Sequence, residues 1–472
     1  MLLGLDLGTG SCKVLLLNLQ GRVVAEAQQE YGVQAPRPGW AESDPQDWWE
    51  AVVSATRAAV GDQGPQVLAL GLSGQMHGVV LTQADGIPLR PAVLWADGRS
   101  EEALAAYYRL PEAARRRLAN PLTVGMAGPS LLWLKEHEPA NYRAARWALQ
   151  PKDWLRLRLT GQVLSEPSDA SGTLLYDLEA DTWALDITEA LGLRPDLLPP
   201  LVPSGRLAGH LTAAAAEALG LPAGLPVAAG AADTAAALLG SRLEVGEVQL
   251  TVGTGAQIAQ MLEAPVLDPT LRTHLYRAAL PGRWYALAAL QNAGLALEWV
   301  RSLLGLSWDE AYAASQGIPP GAEGLTFLPY LTGERTPHLD PQARGVWAGL
   351  GRHHHRGHLM RAALEGLAFS LREGLEALEV PPSTPLRLAG GGTAEPFWQQ
   401  MLADVLNRPL VVTPVRSASA LGAALLAGMA IGTAVPDSTQ PVSLVHNPQS
   451  TAYEAAYRRY RELYSRLRGW FA

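Results

Sequence analysis

The feature that most constrains this fold is a strand–turn–strand pattern that occurs twice, about half a chain apart. Residues 3–10 read Leu-Gly-Leu-Asp-Leu-Gly-Thr-Gly, and residues 248–255 read Val-Gln-Leu-Thr-Val-Gly-Thr-Gly. Apolar residues that run into a glycine turn are typical of a β-hairpin. A chance match of small turn residues and a duplicated fold explain the repeat about equally well. The duplicated fold predicts one such hairpin in each half of the chain.

The length of the chain also points to two domains. The 472 residues exceed what one hydrophobic core usually takes and suit two domains of about 200 residues or more. Short apolar strands end in polar, glycine-containing loops with helical stretches between them, which indicates an α/β fold with ligands at the strand ends. We place the domains at residues 1–243 and 244–472. The second domain ends in a helix at about 450–468, and one possibility is that this helix packs back onto the rest of the protein.

Composition argues against several classes of protein. A net charge of −8 and a pI of about 5.7 disfavour nucleic acid as the main partner. Cys12 is the only cysteine, so an intrachain disulfide is impossible and a reducing compartment is favoured. The N-terminus lacks the basic start of a signal peptide, and no apolar stretch is long enough for a membrane helix. We therefore expect a cytoplasmic protein with no membrane partner.

The two glycine turns are candidate phosphate sites. Glycines let the backbone approach a polyphosphate, amides and the Thr9 hydroxyl can donate to its oxygens, and Asp6 can bind Mg²⁺ through water. An ordinary tight hairpin is the alternative for each turn taken alone. A third glycine turn, at residues 390–392, opens a helix and suits the adenosine side of a nucleotide. The predicted ATP-binding residues are Gly8, Thr9, Gly10, Lys13, Gly253, Thr254, Gly255, Gly390, Gly391 and Gly392.

Asp233 is the candidate base. It stands among alanines just after a predicted strand, where it could also simply cap the following helix. An ordinary aspartate pKa of about 4 would leave it ionised at neutral pH. That is enough for a reaction in which positioning of a phosphoryl group dominates over strong basicity. It is also a possible Mg²⁺ ligand.

A third group of residues suits a sugar. A polyol or ketose needs several hydrogen-bonding side chains around an apolar or aromatic wall. A single histidine in a loop usually does not bind a ligand, so the prediction for His77 rests on the polar and aromatic residues predicted to lie near it. The predicted substrate-binding residues are Gln75, Met76, His77, Trp95, Asp97 and Asp233, and the predicted catalytic residues are Asp233 and Asp6.

Two further segments are harder to interpret. Residues 333–338, Gly-Glu-Arg-Thr-Pro-His, follow an apolar stretch and suit an active-site or domain-bridging loop, but composition does not reveal their chemistry. His353, His354, His355 and His358 resemble a metal tract, yet no carboxylate or cysteine accompanies them in sequence. A surface loop is the favoured interpretation.

These motifs together resemble the FGGY carbohydrate kinases over essentially the full chain. The histidine-containing segments at 74–78 and 333–338 are the most specific. The stretches that carry the resemblance are Asp6-Leu7-Gly8-Thr9, Gly74-Gln75-Met76-His77-Gly78, Leu94-Trp95-Ala96-Asp97-Gly98-Arg99, Pro151-Lys152-Asp153, Ser168-Asp169-Ala170-Ser171-Gly172-Thr173, Asp233, and the segment from Phe327 to His338.

The resemblance implies two actin-like (ribonuclease H-like) domains with ATP and sugar in the cleft between them. It implies a sugar-binding first domain and an adenosine-binding second domain, with Asp233 as the base and Met76 and His77 on a ketose. The implied reaction is the ATP- and Mg²⁺-dependent phosphorylation of D-xylulose to D-xylulose 5-phosphate. A homodimer is possible.

Two rival readings stay open. The substrate could be another ketose or polyol, such as ribulose or xylitol. A much weaker alternative is an actin- or chaperone-like ATPase, which would hydrolyse ATP without sugar and form filaments or bind peptides.

Overall fold

A computed structural model describes residues 1–412, 415, 417–436 and 444–471 of the chain. It contains two seven-stranded mixed sheets, one built from each half of the chain, with helices packed around them. The expected α/β class is therefore confirmed. No helix within the described residues is long and apolar enough to cross a membrane.

The first half of the chain contains thirteen strands and ten helices, numbered in chain order. The strands are β1 Leu2–Leu7, β2 Ser11–Leu17, β3 Val23–Glu30, β4 Glu42–Ser43, β5 Ala69–Gly74, β6 Val80–Thr82, β7 Ala92–Val93, β8 Trp147–Leu149, β9 Tyr176–Asp177, β10 Thr182–Trp183, β11 Leu207–His210, β12 Pro226–Ala228 and β13 Ala231–Ala232. The helices are α1 Pro45–Val60, α2 Leu104–Tyr108, α3 Glu112–Leu118, α4 Ala127–His137, α5 Pro139–Ala144, α6 Pro151–Thr160, α7 Pro167–Ala170, α8 Leu185–Ala190, α9 Ala213–Leu219 and α10 Asp233–Gly240.

The second half follows after a short linker, with the numbering continued. Its strands in the described residues are β14 Val248–Val252, β15 Ala256–Leu262, β16 His274–Arg277, β17 Trp284–Leu290, β18 Thr326–Leu328, β19 Val346–Ala348, β20 Leu386–Ala389, β21 Leu410–Val412 and β22 Leu444–His446. Its helices there are α11 Gly294–Leu303, α12 Trp308–Gln316, α13 Arg356–Ala377, α14 Pro396–Leu406, α15 Ala418–Ala430 and α16 Glu454–Leu467.

The two sheets are built around equivalent hairpins. In the first sheet the order is β11-β12-β5-β1-β2-β3, with β13 also on β5, and β1 pairs antiparallel with β2 and parallel with β5. In the second sheet the order is β16-β17-β15-β14-β20-β21-β22, and β14 pairs antiparallel with β15 and parallel with β20. Each Gly-Thr-Gly turn thus joins the two central strands of its sheet, which favours duplication over chance.

The central strands are buried because helices cover both faces of each sheet. Leu3, Leu5 and Leu7 of β1 are fully buried, as continuous apolar runs in a doubly covered sheet require. Four tyrosines spaced along the last helix and its N-cap, Tyr453, Tyr457, Tyr460 and Tyr464, all lie in the core of the second half. Helix α16 packs there against α13 and β18.

Helix α15 joins the two halves. It follows the second sheet in the chain but packs on β1 and β5 of the first sheet and on α10. Glycines make this possible: a Cβ on Gly4 or Gly71 would collide with a main-chain carbonyl of α15, and one on Gly240 or Gly422 would collide across the α10–α15 contact. The backbone of α15 therefore contacts the backbones of β1, β5 and α10 directly. Because α15 packs on the first sheet, the hydrophobic cores do not separate cleanly at 243/244, and this domain boundary stays a prediction.

Candidate active site

The carboxyl ends of three adjacent strands meet at one edge of the first sheet. Asp6 of β1 pairs in register with Ser73 of β5, and Ser73 pairs in register with Ala231 of β13. Two residues beyond Ala231 the chain reaches Asp233, and two beyond Ser73 it reaches Gln75. Parallel pairing thus brings segments that are far apart in sequence to one edge, which is where α/β folds bind ligands.

Asp6 lies close enough to Asp233 for its charge to affect the ionisation of Asp233. Burial, followed by the charge of Asp6, raises the pKa of Asp233 to about 7, and the amide and hydroxyl of Thr234 offset part of that rise. Burial also raises the pKa of Asp6, which accepts a 3.0 Å hydrogen bond from the Ser73 hydroxyl. The expected ordinary pKa near 4 for Asp233 is therefore wrong, because burial and then the charge of Asp6 disfavour the ionised carboxylate.

Asp233 also has a local structural contact. It is the first residue of α10, and Ala232 is the N-cap. Its Oδ1 accepts hydrogen bonds from the Thr234 amide at 2.5 Å and the Thr234 hydroxyl at 3.2 Å. The capping alternative thus holds for one oxygen at most.

The His77 ring is held in a defined protonation state. Its Nδ1 lies 2.6 Å from the Gly172 carbonyl oxygen, which can only accept, so Nδ1 carries the proton. Burial and the charge of Arg335 lower the pKa of His77 to about 4, despite the opposing effect of that hydrogen bond. At neutral pH the Nε2 atom is therefore an acceptor, which suits a sugar hydroxyl.

Strands of the second half cover this edge. Tyr276 of β16 lies beside His77, with ring centroids 6.1 Å apart. The hydroxyl of Tyr285, from β17, lies 3.9 Å from the sulfur of Met76. Met76 and both tyrosines belong to one apolar cluster that spans the two halves. The site is therefore an interdomain cleft, as expected, rather than a surface of one domain.

Gln75 and Trp95 link the sugar side to the first glycine turn. The Gln75 amide nitrogen donates to the Gly8 carbonyl at 3.3 Å, while its buried Oε1 has no partner among the described residues. The Trp95 indole N–H donates to the Thr9 hydroxyl oxygen at 2.8 Å. The Thr9 proton is thus left available to a phosphate oxygen.

Asp97 has a different environment from its predicted partners. It is 1% exposed, and its carboxylate accepts from the Ala41 amide at 2.6 Å and from the Arg99 amide and guanidinium. Both oxygens are satisfied within the protein. The geometry favours a role for Asp97 in holding the loop, in place of the sugar contact expected from sequence.

The second glycine turn lies against a helix N-terminus. The Gly294 and Leu295 amides, at the start of α11, donate to the Gly253 and Thr254 carbonyls at 3.0 and 2.9 Å. Gly390, with φ of 94°, packs its Cα against the carbonyl of Val252, the residue before this turn. The glycines at 253–255 and 390–392 are thus neighbours, as one nucleotide site requires. Lys13 lies apart from them, opposite Asp6 on β2.

A buried ionic network stands behind Asp233. The Lys152 ammonium lies 2.6 Å from Asp153, 3.5 Å from Glu166 and 3.4 Å from Asp169, and all four side chains are fully buried. The Glu166 carboxylate accepts from the Ser168 hydroxyl, which in turn accepts from the Ala232 amide at 3.0 Å. Two of the motifs singled out in the sequence, at 151–153 and 168–173, therefore support the segment before Asp233.

The histidine tract contacts a carboxylate that is distant in sequence. The Glu323 carboxylate lies 3.5 Å from His353 and 3.3 Å from His358. No carboxylate is close to the histidines in the sequence, but the fold brings this one to them. The Nδ1 of His355 accepts from the Gly357 amide and caps α13. Among the described residues no group of three or more His, Cys, Asp or Glu side chains could hold a metal ion.

Sequence reasoning missed four residues of the cleft: His274, Tyr276, Tyr285 and Arg335. The first three lie in strands whose apolar alternation reads only as core. Arg335 lies in a motif that was singled out but given no chemistry. Its guanidinium packs over the Trp95 ring, 5.6 Å from the centroid, and so crosses the cleft.

Comparison with known proteins agrees with this geometry. Residues 1–240 match the FGGY family of carbohydrate kinases, N-terminal domain, and residues 248–431 match its C-terminal domain. The chain is 39% identical to the xylulose kinase of Escherichia coli strain K12, over 99% of this chain and 98% of that protein. It is 36% identical to the xylulose kinase of Klebsiella pneumoniae, with the same coverage.

Solved structures share the fold over the whole chain. A xylulose kinase from Lactobacillus acidophilus superposes with a TM-score of 0.94 at 25% identity, covering 100% of this chain and 99% of that one. A gluconate kinase from the same organism gives 0.93 at 25% identity, covering 98% and 97%. Two actin-like domains, the architecture of this family, are thus confirmed. The chain belongs to the FGGY family of carbohydrate kinases.

Proposed function

We propose that this protein transfers the γ-phosphoryl group of ATP to the terminal hydroxyl of D-xylulose, giving D-xylulose 5-phosphate and ADP. The observation that carries the proposal is the pair Asp6 and Asp233, buried at the domain junction between the first glycine turn and the His77 loop. The xylulose kinases named above, similar over almost their full length, support the choice of sugar.

The transfer needs one proton acceptor and one in-line nucleophile. The O5 hydroxyl gives its proton to Asp233 as a bond forms between O5 and the γ-phosphorus. The bond from that phosphorus to the β,γ-bridging oxygen breaks, and its electron pair leaves with ADP. A loose transition state spreads charge over the phosphoryl oxygens, so positioned amides in the glycine turns supply most of the stabilisation.

His77 and Gln75 would orient the sugar. The Nε2 of His77 accepts a hydroxyl proton, and the unpartnered Oε1 of Gln75 offers a second acceptor at the turn side. Met76, Tyr276 and Tyr285 form the apolar wall that such pockets use against a sugar ring or chain. Together these contacts exclude water from the transfer.

Magnesium fits the two carboxylates. Burial raises the pKa of both Asp6 and Asp233, and the charge of Asp6 raises that of Asp233 further, an arrangement that a divalent cation relieves. Magnesium commonly takes one or two carboxylates and completes its shell with water and phosphate oxygens, which accords with the lack of a larger ligand group among the described residues. When bound, it neutralises charge on the phosphates.

Fold similarity does not select the sugar, because the gluconate kinase matches about as well as the xylulose kinase. The deciding experiment measures ADP release with D-xylulose, D-ribulose, L-ribulose, xylitol, D-gluconate and glycerol. We expect the highest kcat/KM with D-xylulose, and a better substrate among the others would replace it. Fast hydrolysis of ATP without any sugar would favour the ATPase alternative.

The role of Asp233 is tested in the same assay. Asp233→Ala should lower kcat by about 10²–10⁴-fold, the usual effect of losing a general base. Asp309→Ala, at an exposed aspartate in the first turn of α12, is the matched control and should retain full activity. A loss below about tenfold with an intact fold would exclude Asp233 as the base.

A further inference from the structure

Arg335 is a charged side chain in the cleft whose guanidinium forms no salt bridge with any of the described residues. It follows β18 in a loop of the second half and is half-buried. Within the described part of the chain its guanidinium makes no hydrogen bond or ion pair, and its closest defined contact is the face of Trp95. A cation in such a place is costly unless an anion or polar ligand compensates it.

The adjacent carboxylate does not fill this role. The Glu334 carboxylate accepts from the Gln291 amide at 2.6 Å, the Arg335 amide at 2.8 Å and the Asn292 side chain at 3.3 Å. It is therefore committed to main-chain and amide donors that hold the loop. The charge of Glu334 still acts on Arg335 through space, but the guanidinium makes its defined contact with the Trp95 ring.

Other buried arginines in the described part of the chain have partners within the protein. Arg99 lies 2.7 Å from Asp97, Arg156 lies 3.0 Å from Asp153, and Arg361 lies 2.7 Å from Glu365. Arg277, close to the same cleft, lies 2.8 Å from Asp181. Arg408 is held instead by the Pro381 and Val380 carbonyls. These buried arginines therefore have carboxylate or carbonyl partners, and the Arg335 guanidinium departs from this pattern.

Its position lies between the sugar side and the phosphate side. Trp95, under the guanidinium, donates to the Thr9 hydroxyl oxygen of the first glycine turn. On the other side, the charge of Arg335 reaches His77 and His274 and contributes, after burial, to their lowered pKa values. A group passing from the glycine turns to a sugar at His77 must cross the space between these neighbours.

We propose that Arg335 binds the phosphoryl group during its transfer and then the phosphate of the product. This inference rests on the proposed function, since it takes the sugar to lie at His77 and ATP at the glycine turns. A guanidinium presents several donors in a planar fork that matches the oxygens of a phosphoryl group. Arg335 reaches across from the second domain, so its contact forms only where the domains meet.

The test compares Arg335→Gln and Arg335→Lys with the wild type and with Arg352→Gln, an exposed arginine of the same half. We expect Arg335→Gln to lower kcat by about 10²–10³-fold, the effect of removing one preorganised donor from a phosphoryl or oxyanion site. Arg335→Lys should recover only part of this, because it keeps the charge and loses the fork. Arg352→Gln should match the wild type.

A binding measurement separates this role from a structural one. By calorimetry, Arg335→Gln should weaken D-xylulose 5-phosphate about tenfold or more, the effect of losing one charge-assisted contact, while D-xylulose affinity should stay about the same. An equal loss for both ligands, or an unchanged kcat, would overturn the proposal. If Arg335→Gln does not fold, the same comparison is decided with Arg335→Lys.

The two proposals fail in different ways. Failure of the proposed function would appear in the wild type, as preference for another sugar. The kinetic comparison of Arg335 variants would then be made with that sugar, and binding would be measured with its phosphate and with inorganic phosphate. Failure of the Arg335 inference would appear only in the ratio of variant to wild type.

Discussion

The two Gly-Thr-Gly turns have the same sequence and the same place at the centre of their sheets, but different neighbours. The first is preceded by Asp6 and contacts Trp95 and Gln75, which face the sugar side. The second has Thr251 at the position of Asp6 and contacts the start of α11. The Gly390 turn packs beside it.

This difference teaches how a duplicated element divides a task. Both turns present amides that phosphate oxygens can use, but only the first carries a carboxyl, and that carboxyl faces Asp233. We infer that the first turn serves the transferred phosphoryl group and the metal, and the second serves the nucleotide. The two glycine turns supply backbone amides for phosphate oxygens, and individual side chains near them, such as Asp6, supply the catalytic groups.

Exchanging the distinguishing side chains gives the largest expected effect. Asp6→Asn should lower kcat by about 10²–10³-fold, because it removes a charge from the phosphoryl and metal side. Thr251→Val, the matched change in the second half, should leave kcat within about threefold, since among the described residues the Thr251 hydroxyl only accepts a hydrogen bond from Gln249. Steady-state kinetics at varied Mg²⁺ measures both variants. Equal losses would contradict the division of tasks.

The glycine turn beside the second hairpin gives an intermediate effect. Gly390 has φ of 94° and no room for a Cβ near Val252, whereas a Cβ on Gly391 meets nothing within 4 Å. Gly390→Ala should therefore cost about 2–3 kcal/mol of unfolding free energy and raise the KM for ATP. Gly391→Ala should change stability by about 0.5 kcal/mol or less. Denaturant unfolding and ATP kinetics compare the pair. An effect on sugar KM alone would contradict the assignment to the nucleotide side.

The pH dependence gives the smallest effect. The base must be ionised, and the pKa of Asp233 is raised to about 7, so kcat/KM for the sugar should rise with pH and level off above that value. A cation bound beside Asp6 and Asp233 favours the ionised form of Asp233. The pH range over which activity rises should therefore move to lower pH when Mg²⁺ and ATP are bound. Asp6→Asn should also lower it, because it removes the neighbouring charge. If Asp6→Asn leaves the pH dependence of kcat/KM unchanged, a group other than Asp233 controls it.

The fold could be predicted because its signals are local. Apolar residues on either side of the glycine turns predict β1 and β2 in the first half and β14 and β15 in the second. Asp44 caps α1 through the Gln46 amide, as the Ser-Asp-Pro sequence at this point indicates. These elements need no information about distant parts of the chain. Their order along the sequence then leaves few sheet topologies.

The electrostatics of the site could not be predicted because they depend on distant neighbours. The raised pKa of Asp233 follows from its burial and then from the charge of Asp6, which parallel pairing brings close. The hydrogen bonds that occupy Asp97 come from Ala41 and Arg99. Arg335 gave no signal of its own, since a lone arginine in a polar loop usually lies in solvent. Arg335 stands out only in the folded structure, where its guanidinium forms no salt bridge with any described residue.

The backbone contact between α10 and α15 has a consequence for how this protein can change. Gly240, Gly422 and the strand glycines Gly4 and Gly71 hold the two halves at the shortest distance that main chains allow. The joint cannot be strengthened by larger side chains, nor can its geometry be tuned from within. Any adaptation to heat, or any altered hinge angle, has to come from residues around its rim.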